Sequence, residues 1–376
     1  MRVLELIDRA SRGGAEKHTR LFSEELARQG HKVWLVHPGG PYTPDFAASS
    51  RHGVNVIELP ALRSNLIVAV RLLRSLLAHE DIEVIHSHQY RADLVTALAA
   101  SGQVLATTIH NFLGKDLPWT RAPFRRALYY PFSRFALSRM NLVIATSSYG
   151  AAYVRQFFGI DDERLKIILN SIDPAELSNI RPAEKTRAEL ELPRDRPLIA
   201  CAATLEPRKG QTHLLRAIAK VCSEISEQHP VLLLLGEGPQ ERELTQLAKD
   251  LGIEDSVRLL GFRADAKDVI AACDVYIQPS LVDPLPRALL EAMFLRVPVI
   301  ASNVDGIPDV VTNGRTGHLV PPADYRALAL SILRVLRTDS SEVTGRAREF
   351  VLQRCTIGSM VRSFLEHVER IPRTTS

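Results

Sequence analysis

MRVLELIDRASRGGAEKHTRLFSEELARQGHKVWLV, residues 1–36, carries the pattern that sets the fold class. Residues 3–7 are a short apolar run ending in a polar loop that contains glycine. From 15 to 29 the apolar positions fall at helical spacing, and Gly30 closes that helix as a C-terminal cap. Residues 33–36 then read as a second buried strand. Further along, 84–85, 105–109, 142–145 and 167–169 read as strands, with helices at 67–78 and 92–100 among them. Such alternation predicts a parallel sheet covered on both faces by helices.

The alternation stops at 173–196, which is rich in proline, charge and small polar residues, and then restarts. Strands are expected at 198–202, 231–235, 257–260, 275–277 and 299–301, with helices at 213–226 and 241–251. A chain of 376 residues exceeds what one core usually supports. The expected organisation is therefore a first α/β domain at 1–172, a linker at 173–196, and a second α/β domain at 197–355. A tail at 356–376, helical in period over 361–371, is expected to pack back on the first domain. Two Rossmann-like halves of this kind place small-molecule sites at the carboxyl ends of their strands, in the cleft between them.

Composition narrows the classes. Apolar residues make up 45% and charged residues 24%, the balance of a globular chain, and the net charge of +4 gives no reason to expect nucleic acid. Residues 1–180 hold 21 basic against 17 acidic side chains, so all of the excess lies in the first half. Cys201, Cys222, Cys273 and Cys355 lack metal-type spacing and read as thiols of a reduced compartment. Glu5 and Asp8 fall where a signal peptide would need its apolar core, which points to a cytoplasmic protein. The chain has no GxGxxG or GxxxxGK[ST] phosphate loop, no GxSxG elbow, and no DxD or HExxH metal motif.

Candidate chemistry concentrates in the second half. In SLVDPLPRALLE, residues 280–291, Pro286 suits the first turn of a helix, with Asp283 in the loop before it and Glu291 within it. The backbone amides of Leu285, Arg287 and Ala288 would face an anion at that helix start. The same spacing also describes a capped helix with two solvated acids. TLEPRKG, 204–210, joins a strand to a helix and offers Arg208 and Lys209, a mobile point charge suited to a diphosphate. Gly236 and Gly238 form a second glycine turn after a strand. In the first half, Gly13 and Gly14 permit close backbone approach, and His110 ends an internal strand.

Taken in order, these segments resemble glycosyltransferase family 4, the retaining nucleotide-sugar transferases of GT-B fold, over almost the whole chain. RGGAEKH (12–18) is similar to the family's first glycine loop, TTIHN (107–111) to its histidine strand and ILNSID (168–173) to the segment closing the first domain. TLEPRKG, LLGEGP (234–239) with Gly261, SLVDPLPRALLEAM (280–293), VPVIASNVDGIPDVV (297–311) and NGRTGHLVPP (313–322) follow in the family's succession. The resemblance implies that the second domain binds the nucleotide sugar and the first serves the acceptor. It implies Glu291 on the donor ribose, Asp283 on the transferred sugar and Lys209 on the diphosphate. His110 would lie beside the sugar near the reaction centre, and Gly13 and Gly14 near the diphosphate and acceptor. It further implies transfer with retained anomeric configuration, no cofactor and no essential metal. Two positions depart from the pattern: Thr204 stands where arginine is usual, leaving Arg208 or Arg287 as replacement cation, and Asp283 stands where glutamate is usual.

Those departures keep two other readings open, a GT-B protein that binds nucleotide sugar or glycan without turnover, and a nucleotide-sugar epimerase. A last expectation concerns partners. Residues 117–160 hold six arginines (Arg121, Arg125, Arg126, Arg134, Arg139, Arg155), no acid, and ten of the chain's 22 aromatics: Trp119, Phe124, Tyr129, Tyr130, Phe132, Phe135, Tyr149, Tyr153, Phe157 and Phe158. That mixture fits peripheral contact with an anionic membrane at its inner face, and a glycan or lipid-linked acceptor of cell-surface polysaccharide, lipopolysaccharide or glycolipid synthesis. An arginine face over an aromatic core would look the same in sequence.

Overall fold

The computed structural model describes residues 1–11, 13–110, 123–225 and 228–372, with the backbone alone over 123–129. The chain forms two compact units. Unit 1 comprises Met1–Ser171 with Ile357–Ser376, and unit 2 comprises Ile172–Thr356.

Unit 1 is built on a seven-stranded sheet. Its strands are β1 (Arg2–Ile7), β2 (Lys32–His37), β3 (Val54–Glu58), β4 (Val84–His88), β5 (Val104–Ile109), β6 (Leu142–Ala145) and β7 (Leu165–Ile167). They run in the order β3-β2-β1-β4-β5-β6-β7, every pair parallel. Unit 2 has six: β8 (Leu198–Ala202), β9 (Val231–Leu235), β10 (Val257–Leu259), β11 (Val275–Gln278), β12 (Val299–Ser302) and β13 (His318–Val320). Their order is β10-β9-β8-β11-β12-β13, again all parallel. Each order reverses direction once, between β1 and β4 in unit 1 and between β8 and β11 in unit 2. Crossover helices leave such a point on opposite faces of the sheet, which opens a crevice beyond the carboxyl ends of the two strands.

The core of unit 1 depends on both ends of the chain. Leu21, Phe22 and Leu26 of helix Gly14–Arg28 pack with Met360, Val361, Phe364 and Val368 of helix Ile357–Glu369 over Val3, Ile7 and Val33. The Phe22 and Phe364 rings meet edge to face, centroids 5.2 Å apart. Truncating a buried phenylalanine of this kind costs about 3–5 kcal/mol. Unit 2 has its own core, where Leu214, Leu215, Ile218 and Val221 of helix Gln211–Glu224 cover Ile199, Leu232 and Leu234.

The structure differs from the sequence reading at several places, one of them the last strand of the first half, expected at 167–169 and found at Leu165–Ile167. Segment 173–196 is part of unit 2 and not a connector, and it carries helix Ala183–Glu189. Its charges are used locally: Arg187 donates to the Ala272 carbonyl and pairs with Asp274 at 3.1 Å, and the Arg181 amide donates to Asp268. Strand β3 escaped notice because VNVIE, at the edge of the sheet, mixes polar and apolar residues and is no continuous apolar run. Strand β13 is only three residues long, too short for any periodicity to show.

Candidate functional site

Three loops leave unit 2 beyond neighbouring strands β9, β8 and β11, and glycines let them touch. Gly210 sits at φ +72°, and a Cβ there would fall 2.0 Å from the Pro279 carbonyl oxygen. Gly236, at φ +134°, and Gly238 lie against the Ala203 and Leu205 carbonyls, 2.1 and 2.4 Å from where a Cβ would sit. No side chain fits at these three positions without moving backbone. The Leu281 amide donates to the Arg208 carbonyl at 2.8 Å, and the Leu205 amide to the Glu237 carbonyl at 3.0 Å, which fixes the loops together.

This framework brings Lys209 from the loop after β8 onto Asp283 from the loop after β11, Nζ to Oδ2 2.6 Å. Asp283 is 3% exposed, and the same oxygen accepts from the Ser280 hydroxyl at 3.0 Å and the Gln278 amide at 3.4 Å. Tyr276 continues the chain inward by donating to Gln278 Oε1 at 2.7 Å. Burial, with Cys201, Glu291 and Asp283 nearby, holds the Tyr276 phenol well above its ordinary range, so it stays a donor. The Asp283 amide is itself held by Asp305 at 2.8 Å. Helix Arg287–Phe294 follows with Pro286 as its N-cap. Leu285 is buried before its first turn, Ala288 lies in that turn, and Glu291 is one turn in, with Arg287 3.9 Å from its carboxylate.

Of the two replacement cations, Arg208 is paired with Glu206 at 2.8 Å, and Arg287 is 9% exposed within the helix. Thr204 is exposed; its carbonyl accepts from Gln211 at 2.9 Å. Lys209 is therefore the cation that the loops aim at the acid expected on the sugar.

In unit 1, Gly13 is the N-cap of helix Gly14–Arg28, with φ −129°. A side chain there would meet only the movable Glu16 carboxylate, so this glycine is not demanded by backbone conformation. His110 follows β5, and the structure adds four residues to it that sequence reading missed. His88 Nδ1 lies 3.0 Å from His110 Nε2, and His88 Nε2 lies 2.7 Å from Glu5 Oε2. His86 bridges Glu5 at 3.1 Å and the Thr108 hydroxyl at 2.8 Å. The His18 ring stands edge-on to His110, centroids 4.7 Å apart. Burial holds both His86 and His88 down to about 3, so both are neutral at physiological pH. Burial pushes the Glu5 carboxyl up, opposed by its hydrogen bond with His88.

His18, His88 and His110 each offer a ring nitrogen within 4.8 Å of the others, a spacing that could surround one metal ion. The 3.0 Å His88–His110 contact is equally met by one shared proton. The only sequence signal for this cluster is the pair of histidines two apart in VIHSH, which alternation along β4 turns to one face.

Residues 182–349 match the family described as glycosyl transferases group 1, and residues 12–176 match glycosyltransferase family 4. The chain belongs to the group 1 glycosyltransferases of family 4. This glycosyltransferase is 28% identical over 338 residues to a phosphatidyl-myo-inositol mannosyltransferase of Mycolicibacterium smegmatis, covering 87% of this chain and 82% of that one. It is 24% identical to N-acetyl-alpha-D-glucosaminyl L-malate synthase of Bacillus anthracis, covering 88% and 87%. Its fold is that of Anabaena HepE crystallised with UDP and glucose, with a TM-score of 0.83, 24% identity, and 99% and 100% of the two chains covered. The two Rossmann-like units are thus those of a GT-B glycosyltransferase.

Proposed function

We propose that this glycosyltransferase moves a sugar, with retained anomeric configuration and without a metal ion, from a nucleotide-diphosphate sugar to a glycan or lipid-linked acceptor. The observation that carries the reading is the Lys209–Asp283 pair, held beyond β8 and β11 by loops that the glycines pin. Lys209 then neutralises the charge that grows on the departing diphosphate, assisted by the amides of Leu285, Arg287 and Ala288. Charge of this kind is stabilised best by donors fixed in advance. Asp283 takes the sugar hydroxyls and Glu291 the ribose hydroxyls. His110 acts beside the transferred sugar, and Gly13 and Gly14 lie along the diphosphate and acceptor. The leaving phosphate oxygen accepts the acceptor's proton. In support of a nucleotide-sugar donor, the Anabaena relative is named with UDP and glucose.

A membrane-borne acceptor is favoured by Phe132 and Phe135, 46% and 42% exposed on helix Pro123–Ser138, with exposed Arg134 between them. Tyr153 and Phe158, by contrast, are buried and serve the core. Trp119 and Arg121, and the side chains of Phe124, Arg125, Arg126 and Tyr129, lie outside the described residues. No described helix is long and apolar enough to cross a membrane, so contact is proposed as peripheral, from the cytoplasmic side, in cell-surface polysaccharide, lipopolysaccharide or glycolipid synthesis.

The test is an assay with UDP- and GDP-sugars in EDTA, reading nucleoside diphosphate release with and without candidate acceptors. Release only with acceptor, and a product of unchanged anomeric configuration by NMR, is the expected result. A strict requirement for manganese or magnesium, or an inverted product, would overturn the mechanism. Donor binding without turnover by any acceptor would favour a binding protein.

A further inference from the structure

Helix Leu66–Glu80, LIVAVRLLRSLLAHE, connects β3 to β4 in unit 1. Ala69, Leu73 and Leu77, at four-residue spacing, form its buried stripe. The opposite side keeps three large apolar side chains in the open: Ile67 at 66% exposure, Leu72 at 47% and Val68 at 38%. No other helix leaves three such side chains exposed among the described residues. Basic charge is interleaved with them. Arg63, Arg71 and Arg74 are exposed, and residues 59–79 contain no acid. No ion pair holds the Arg63 or Arg71 guanidinium among the described residues, and Arg74 donates to the Leu98 carbonyl at 2.7 Å. Helices Ala61–Ser64 and Tyr90–Ala99 pack against this one and add a single acid, Asp93, which is buried.

We propose that helix Leu66–Glu80 is a surface by which the enzyme lies on an anionic bilayer, with Ile67, Val68 and Leu72 among the acyl chains and Arg63 and Arg71 on lipid phosphates. The inference rests on the reading of a membrane-borne acceptor, and it adds to Phe132 and Phe135 a second, more apolar contact. Helix Pro123–Ser138 also packs on Tyr90–Ala99, so both exposed sets belong to one helical layer of unit 1. At 15 residues, helix Leu66–Glu80 is about 22 Å long, too short to span a bilayer and suited to lying in its interface. Arginine fits this place because its aliphatic stem can lie along the apolar residues while the guanidinium reaches back to phosphate. A second copy of the chain fits the face poorly. A two-fold contact would set arginine against arginine with no acid between them.

The experiment is cosedimentation of the full chain with vesicles of phosphatidylglycerol and phosphatidylcholine in equal parts, and with phosphatidylcholine alone. The native chain is expected to bind the anionic vesicles reversibly. Ile67→Asp with Leu72→Asp should lower partitioning about tenfold for each side chain withdrawn, and Arg63→Ser with Arg71→Ser about fivefold for each charge. All four positions are exposed, so Tm should not change. A Leu72→Trp variant reads depth: its added fluorescence should be quenched by bromine on the acyl chains. Native-strength binding by the double aspartate variant, or a Leu72→Trp signal that brominated chains leave untouched, would overturn this inference and leave the membrane reading to Phe132 and Phe135. Indifference of the native chain to anionic vesicles would overturn that reading and this inference together. A dimer in vesicle-free solution that the double aspartate variant disperses would give the face to a second copy instead.

Discussion

Units 1 and 2 share one strand order, third-second-first-fourth-fifth-sixth counted within each, yet each furnishes the loops beyond its own strand ends with different chemistry. Beyond β8 and β11, unit 2 sets an ammonium against a carboxylate on loops drawn tight by glycine. At the ends of β4 and β5, unit 1 sets the imidazoles of His88 and His110 in series, with the Glu5 carboxyl behind them sunk into the sheet. Fixed charge is suited to an anionic diphosphate; imidazoles, which can both donate and accept, are suited to hydroxyls. The scaffold fixes where a site is, and the side chains at the strand ends fix which kind of molecule each unit handles.

The contrast can be broken most forcefully at Lys209. A charge-assisted hydrogen bond is worth about 1.5–3 kcal/mol, so Lys209→Met should weaken nucleoside diphosphate binding by roughly ten- to 150-fold. The histidine-ring signals of unit 1 should stay where they are. Calorimetry and NMR on one sample read both, and Glu291→Gln, which keeps one ribose acceptor, should weaken binding by about tenfold. Retained affinity in the Lys209 variant would mean that unit 2 does not hold its anion by fixed charge.

A second test sharpens the account of unit 1 through Asp93. Fully buried, it accepts from Ser87 and Thr107 at 2.7 Å, yet burial pushes its carboxyl up to about 7. A carboxyl raised on folding adds stability below its unfolded value, and that contribution is lost as pH rises through the folded one. Asp93→Asn cannot ionise, so its Tm should climb relative to native between pH 5 and pH 8, by roughly 2–4 °C per kcal/mol. A constant difference in Tm would contradict the raised value. His86 and His88 act with the opposite sign. Held at about 3, they stay neutral in the fold while the unfolded chain takes up protons, so their contribution falls as pH drops below 6.5.

The smallest effect concerns membranes. Each basic side chain near an anionic surface contributes roughly 1 kcal/mol, so sedimentation with anionic vesicles should be weak, salt-sensitive and reduced when Arg134 and Arg139 become serine. Equal indifference to anionic and neutral vesicles would leave a soluble acceptor.

Much of this was legible in sequence for one reason: a parallel sheet covered on both faces writes its strands as uninterrupted apolar runs such as VLLLL in β9. Lys209 and Asp283 could be singled out as candidates because they fall outside such runs, at strand-to-helix junctions where polar residues stand out, and Glu291 because it interrupts an apolar helix. The same property hid the rest. Glu5 in β1, His86 and His88 in β4 and Gln278 in β11 lie inside strands, where a polar residue reads as a solvent-facing position. Only the fold reveals that all four are fully buried and bonded to one another or to the site.

The return of helix Ile357–Glu369 to unit 1 also sets an order of events on the ribosome. Phe22 and His86 wait for Phe364, which is made after all of unit 2. At about 5–20 residues per second the interval is roughly ten to forty seconds. During it unit 2 can complete its core while the older half of the chain cannot. A nascent chain halted before residue 357 should therefore be held by chaperones at its first half, and a bulky C-terminal fusion should burden the earliest-made part of the enzyme.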